Sequence, residues 1–161
     1  MIFNFNDYVL DVDVEKTREF YNSDDCPVTS LGCVCDGCRN YDKAIMTASA
    51  SVLDFLREFG IDPKKPGEVF ILGEENFKYG EILYYGGWYH VVGRIVSKPE
   101  EKKTPDYTPH YTPDPSFPLS VSFVDDRNRM GCVNSKMPTP IFEIGIDAHL
   151  PYVIEDTKKQ E

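Results

Sequence analysis

The chain has 161 residues, of which 41% are hydrophobic and 27% are charged, and this composition is typical of one folded domain rather than of a disordered segment. There are 27 acidic and 17 basic residues, which gives a formal net charge of -10 at pH 7. A protein this negative repels nucleic-acid backbones and anionic membranes. The composition therefore disfavours both as partners and favours a basic protein or a cation.

The N-terminus predicts a protein that stays in the cytoplasm. It reads Met-Ile-Phe-Asn-Phe-Asn-Asp and has neither the basic region nor the apolar region of a secretory signal peptide. No apolar run reaches the roughly 20 residues that a membrane span requires. In a reducing cytoplasm, the five cysteines are expected to be thiols or metal ligands rather than a disulfide framework.

The first part of the chain predicts one strand and two helices. Residues 8–13 alternate between apolar and polar side chains, as in a half-buried strand. Asp13 is a suitable N-cap for a short helix over residues 14–22, and residues 23–37 are expected to form a loop. From residue 39 to residue 59 the apolar side chains follow an i, i+3, i+4, i+7 spacing, which predicts one long amphipathic helix.

The remainder predicts a largely antiparallel sheet. Strands are expected over 68–72, 81–85, 88–96, 119–124 and 141–149. The second and third form a hairpin around a two-residue turn, Gly86-Gly87. The predicted fold class is therefore α+β, a single domain over residues 1–161 in which the long helix packs on the sheet.

Two segments are expected to lie outside this regular structure. Residues 98–118 contain six of the twelve prolines and predict a long loop, with a polyproline recognition strip as the alternative. Residues 155–161 are polar and predict a frayed tail.

The cysteine cluster is the most distinctive feature of the sequence. The spacing C-x-C-x2-C places three sulfurs around an Asp-Gly pair that suits a tight turn, and zinc prefers four ligands with thiolates among them. We predict a closed structural zinc site formed by Cys33, Cys35, Cys38 and Cys26. Other candidates for the fourth ligand are Cys132, His90 and His149.

Two alternatives for the same cysteines remain open. Cys35-x-x-Cys38 precedes a predicted helix, whose positive N-terminal end favours a thiolate and hence a redox or nucleophilic use. The cysteines could equally be reduced thiols that pack in a loop, since buried thiols behave as small hydrophobic groups.

Other polar residues give weaker signals. Glu143, Asp147 and His149 share one face of the last predicted strand, and we expect this face to be solvated rather than to form a metal or acid–base site. His90 lies in the predicted hairpin, where a packed, hydrogen-bonded imidazole is expected in preference to a catalytic one.

Four segments of the sequence together carry a resemblance to known proteins. They are the cysteine run Cys33-Val-Cys-Asp-Gly-Cys-Arg-Asn-Tyr, the segments Gly60-Ile-Asp-Pro-Lys-Lys-Pro and Tyr85-Gly-Gly-Trp-Tyr-His-Val-Val-Gly, and the ending Leu150-Pro-Tyr-Val. In these segments the chain resembles an uncharacterised family of small bacterial proteins. The resemblance covers most of residues 8–96 and the last strand, and it fails across the proline-rich segment. It implies a bacterial cytosolic protein with the cysteine run as a hallmark, and it implies no catalytic residues.

These observations favour an interaction protein over an enzyme. We expect an acidic module that binds a basic protein partner, for example an immunity-type protein that neutralises a basic toxin. The alternative is a cysteine- or zinc-dependent enzyme that uses Cys35 or Cys38 together with His90 or His149. The sequence predicts no oligomeric state.

Overall fold

The computed structural model describes residues 1–27, 32–77, 80–100 and 110–154, with the side chains of residues 74–77, 80 and 81 excluded. The strands are β1 (Ile2–Phe5), β2 (Tyr8–Val12), β3 (Glu68–Phe77), β4 (Gly80–Ser97), β5 (Leu119–Val124) and β6 (Ile141–Pro151). The helices are α1 (Val14–Asn22), α2 (Asp36–Ala44) and α3 (Ala50–Glu58). A short 3-10 helix, Ile45–Thr47, continues α2.

The six strands form one antiparallel sheet in the order β1-β2-β4-β6-β5, and β3 pairs with β4 outside this path. β4 is the organising strand because it pairs with β6 along one edge and with β2 and β3 along the other. Alternation of side chains correctly predicted the strands β2, β5 and β6. The short strand β1 was not predicted.

The prediction of one long amphipathic helix over residues 39–59 is wrong. The predicted fold class, in which that helix packs on the sheet, is therefore wrong as well. The structure is mostly antiparallel sheet with three short helices in the described residues. After the 3-10 turn, Ala48 and Ser49 both adopt extended backbone angles, and the Ser49 hydroxyl accepts a hydrogen bond from Val52 N–H as the N-cap of α3. Both helices bury apolar side chains, among them Tyr41 and Ala44 of α2 and Val52 and Phe55 of α3, so the apolar spacing continued across this break.

The predicted hairpin turn at Gly86-Gly87 is also wrong, since both glycines lie within the continuous strand β4. A Cβ atom on Gly86 would lie 2.8 Å from the Phe70 ring, and one on Gly87 would lie 2.4 Å from the Glu68 carbonyl oxygen. Close approach of β3 therefore explains these glycines. The hairpin connects β3 and β4 instead, and residues 78–79 between them lie outside the described residues.

A continuous β4 places Tyr85 and Tyr89 on one face, whereas the predicted hairpin placed them on opposite faces. Both rings are fully buried beneath α2. The Tyr89 hydroxyl donates to the Pro63 carbonyl oxygen at 2.7 Å and lies 2.6 Å from the Tyr41 hydroxyl, which must then be the donor of that pair. These tyrosines fill the interface between helix and sheet.

The prediction of the N-terminal helix is confirmed, because α1 spans Val14–Asn22 with Asp13 as its N-cap.

No helix in the described part of the chain is both long and apolar enough to cross a membrane. Within the predicted proline-rich loop, Tyr111 forms an isolated bridge with Val121 of β5. Residues 101–109 of that loop, residues 28–31 of the predicted cysteine loop and the predicted tail 155–161 lie outside the described residues.

Candidate metal centre

The structure brings together three of the four predicted metal ligands. The sulfur atoms of Cys33, Cys35 and Cys38 all lie within 4.8 Å of one another, which is close enough to hold a metal ion. Cys33 is half-buried, Cys35 is exposed and Cys38 is buried. The three thiols therefore range from exposed to buried, and the thiol of Cys35 is the most accessible to solvent.

The start of α2 positions the cluster. Cys35 is the N-cap residue, and Cys38 follows three residues later, on the same side of the first turn. Asp36 and Gly37, predicted as a turn, are instead the first two residues of α2. None of the five cysteines forms a disulfide bond.

The surroundings of Cys35 favour its thiolate. A hydrogen bond from the backbone N–H of Cys38 is the main cause that lowers the pKa of Cys35, and the Cys33 thiol adds a second. The Cys33 thiol donates to the Cys35 sulfur across 3.2 Å. Free N–H groups at a helix N-terminus stabilise negative charge in this way.

Two buried side chains fix α2 against the sheet directly behind the cysteines. The Tyr85 hydroxyl donates to the carbonyl oxygen of Gly37 at 2.8 Å. The Asn40 side chain is fully buried and donates to the Pro151 carbonyl oxygen, while its own oxygen accepts from Val153 N–H. Hydrogen bonds behind the ligands hold the ligand backbone in one orientation.

An apolar groove of about 380 Å³ opens beside the three sulfurs. Its other walls come from the first turn of α2, from β3 and from Tyr85. Ile71 lies on the same face as Tyr85 and is 40% exposed although it is a large apolar residue. The Phe70 ring lies on the other face, beside Gly86 and Trp88. Glu68 of β3 also borders the groove. A site of this kind can bind a small apolar group next to a metal.

Cys26, the fourth predicted ligand, is not part of the cluster. It is buried and lines a separate small cavity together with Cys132 and His90. Burial raises the pKa of Cys26 to about 11, so its thiol is neutral at pH 7. No thiol, imidazole or carboxylate among the described residues joins the three sulfurs within 4.8 Å of all of them.

The two histidines of the predicted enzymatic alternative also lie away from the cluster. His90 is 4% exposed, and its Nε2 atom lies 3.0 Å from the Glu143 carboxylate, which also accepts from Gly131 N–H at 2.7 Å. The expectation that Glu143 is solvated is therefore wrong, because it is a buried partner of His90. The packed, hydrogen-bonded role expected for His90 is confirmed.

His149 lies on the opposite face of the sheet from Tyr85. Its ring stacks on Tyr84 at 4.5 Å, and Tyr84 donates a hydrogen bond to Asp147 at 3.3 Å. His110 also approaches Asp147, at 3.8 Å. These residues line a shallow cleft, and none of them lines the groove beside the cysteines.

Comparison with protein-family models, with curated proteins and with solved structures gives no match. The predicted resemblance to a bacterial family therefore stays a prediction.

Proposed function

We propose that this protein is an acidic interaction protein of the cytoplasm that carries a zinc ion on Cys33, Cys35 and Cys38. The observation that carries the proposal is the convergence of these three sulfurs within 4.8 Å of one another. A basic protein is the proposed partner, and neutralisation of a basic toxin is one form that such binding would take.

The distances between the sulfurs suit zinc. Thiolates bound to one zinc at about 2.3 Å in a tetrahedral shell lie about 3.8 Å apart. The Cys33 and Cys35 sulfurs lie 3.2 Å apart, and all three sulfurs lie within 4.8 Å of one another, so their spacing is compatible with this value. Small side-chain rotations would therefore bring the three sulfurs to the separations of a zinc site. Zinc also prefers thiolate ligands over oxygen donors.

The donor count distinguishes this proposal from a closed four-cysteine site. Three thiolates leave one position of a tetrahedral shell for another ligand. Cys26 would have to leave its buried position beside Tyr21 and Lys65 to fill it. We propose a three-thiolate centre whose fourth ligand is not one of the remaining cysteines.

Cobalt(II) substitution tests the centre directly, because thiolate–cobalt charge transfer gives an absorption that oxygen ligands do not. The wild-type chain should bind one cobalt per protein with this absorption, and Cys35→Ser should lose it. Cys132→Ser is the matched control, since Cys132 is also exposed but lies outside the cluster. Wild-type protein without the thiolate–cobalt band, or equal loss in both variants, would contradict the proposal.

The charge of the chain supports the second half of the proposal. With a net charge of -10, the field of the protein accelerates encounter with a basic partner, and salt screens that field over about 8 Å at physiological ionic strength. A partner isolated by affinity purification should therefore be basic and should associate more slowly as salt rises. An acidic partner with a salt-independent association rate would contradict the proposal of a basic partner.

A further inference from the structure

We infer that the fourth ligand of the metal centre is a neutral imidazole from a histidine side chain of a polypeptide partner, whose neighbouring apolar residues occupy the groove beside the cysteines. This inference rests on the proposed metal centre and identifies the chemistry of the partner that binds there. Three observations carry it: the number of donors, the charge around the site and the character of the groove.

The first observation is the incomplete donor set. Cys33, Cys35 and Cys38 supply three sulfurs, and within the described residues no fourth protein donor lies within 4.8 Å of all three. Residues 28–31, which precede the cluster, are Val, Thr, Ser and Leu and contain none of the side chains that usually bind zinc. An external ligand has room to approach because Cys35 is exposed.

The second observation is the charge. A zinc ion with three thiolates has a net charge of -1. A fourth thiolate would make this charge -2, in a chain whose net charge is already -10. Glu68 of β3 borders the same groove and adds an acidic residue beside it. A neutral imidazole leaves the charge of the centre unchanged, and Cys3His is an established ligand set for structural zinc.

The third observation is the groove. Its volume of about 380 Å³ falls in the range of sites that bind small ligands or single side chains. Val69 and Ile71 of β3 supply apolar walls on the face of the sheet that Tyr85 shares, and covering the exposed side chain of Ile71 with another apolar surface is favourable. A bare water molecule on the metal would leave these walls uncovered, whereas a histidine flanked by apolar residues covers them.

The test uses the cobalt-loaded protein and three acetylated, amidated tripeptides. Leu-His-Leu supplies both imidazole and apolar side chains, Gly-His-Gly supplies only imidazole, and Leu-Ala-Leu supplies only apolar side chains. Leu-His-Leu should shift the visible cobalt bands and should bind about tenfold or more tightly than Gly-His-Gly, as burial of a leucine side chain predicts. Leu-Ala-Leu should leave the bands unchanged.

Two variants connect this preference to the groove. Ile71→Ala shortens one wall and should reduce the advantage of Leu-His-Leu over Gly-His-Gly. Val96→Ala is the matched control, since Val96 is 58% exposed on β4 and does not line the groove. Both substitutions shorten exposed side chains, and the comparison of peptides on the wild-type protein remains decisive if either variant folds poorly.

The outcomes separate this inference from the proposed function. If the chain binds no cobalt through thiolates, the metal centre itself is refuted. If cobalt binds but Leu-His-Leu leaves its bands unchanged, the centre stands and the imidazole ligand is refuted. Equal binding of Leu-His-Leu and Gly-His-Gly refutes the role of the groove, and a band shift with Leu-Ala-Leu refutes the role of imidazole.

Discussion

The hydroxyl of Tyr85 on β4 donates a 2.8 Å hydrogen bond to the carbonyl oxygen of Gly37, which lies between Cys35 and Cys38 in the chain. Tyr85 is fully buried, so the position of its hydroxyl is set by the sheet. This contact links the central strand to the peptide that separates two of the candidate ligands. The geometry of the cysteine cluster is therefore coupled to the packing of the core.

Tyr85→Phe should weaken both stability and metal binding. Loss of one hydrogen bond is expected to cost about 1 kcal/mol of unfolding free energy, and a loosened ligand backbone is expected to reduce cobalt affinity about tenfold. Tyr84→Phe is the control, because the Tyr84 hydroxyl bonds to Asp147 on the other face. Chemical denaturation and cobalt titration check this, and equal cobalt affinities in the two variants would contradict it.

Asn40→Ala should destabilise the protein strongly. The buried amide contacts the Pro151 carbonyl oxygen and the Val153 N–H, and its loss leaves both without that partner, at an expected cost of about 3 kcal/mol. The neighbouring Arg39 forms an exposed ion pair with Asp36, so Arg39→Ala should cost well under about 1 kcal/mol. Similar urea midpoints for the two variants would show that Asn40 does not join α2 to the end of β6.

Local patterns predicted the elements whose cause is local. Asp13 caps α1 through a bond to Lys16 N–H three residues away, and strict alternation identified β5. The break between α2 and α3 has a local cause as well, because Ser49 is a good N-cap. The sequence contained this signal, but the uninterrupted apolar spacing outweighed it in the prediction.

The remaining errors have causes that are distant in the sequence. Gly86 and Gly87 are small because β3 packs closely against them, and a Gly-Gly pair alone does not distinguish such contact from a turn. Glu143 is buried because it meets His90, which is 53 residues away. For the candidate site, spacing identified three neighbouring cysteines, whereas the location of Cys26 depends on the packing of α1 and the loop after it.

Phe55→Ala should be among the most destabilising substitutions in α3. The ring lies 5.3 Å from Phe5 and 5.1 Å from Phe59 in an aromatic cluster, and its removal should cost about 3–5 kcal/mol through lost burial and the cavity left behind. Arg57 lies on the exposed side of the same helix, so Arg57→Ala should cost well under about 1 kcal/mol. Comparable losses in urea denaturation would place α3 in a different orientation.

Alkaline pH should lower the unfolding free energy, because the Cys26 thiol and the Tyr85 hydroxyl are weak acids that the fold buries. Burial raises the pKa of Cys26 from 9.0 to about 11 and the pKa of Tyr85 from 10.0 to about 12. Below about pH 8 both groups are largely protonated in the native and in the unfolded state, and the full contribution to stability is present. As the pH rises to about 11 the unfolded chain releases protons that the native state retains, so the unfolding free energy falls.

Urea denaturation at a series of pH values measures this decline. Tyr85→Phe removes one of the contributing groups and should give a shallower dependence than the wild-type chain above about pH 10. A stability that stays constant from neutral to strongly alkaline pH would show that these groups are accessible to water in the native state.

Native mass spectrometry of the chain purified without chelator tests the central claim most directly, because it counts zinc ions on the folded protein. The account predicts one zinc on the wild-type chain, one zinc on Cys26→Ser and on Cys132→Ser, and none on Cys35→Ser, as expected if Cys33, Cys35 and Cys38 hold the ion. A wild-type chain without zinc, or loss of zinc in Cys26→Ser while Cys35→Ser retains it, would contradict the account.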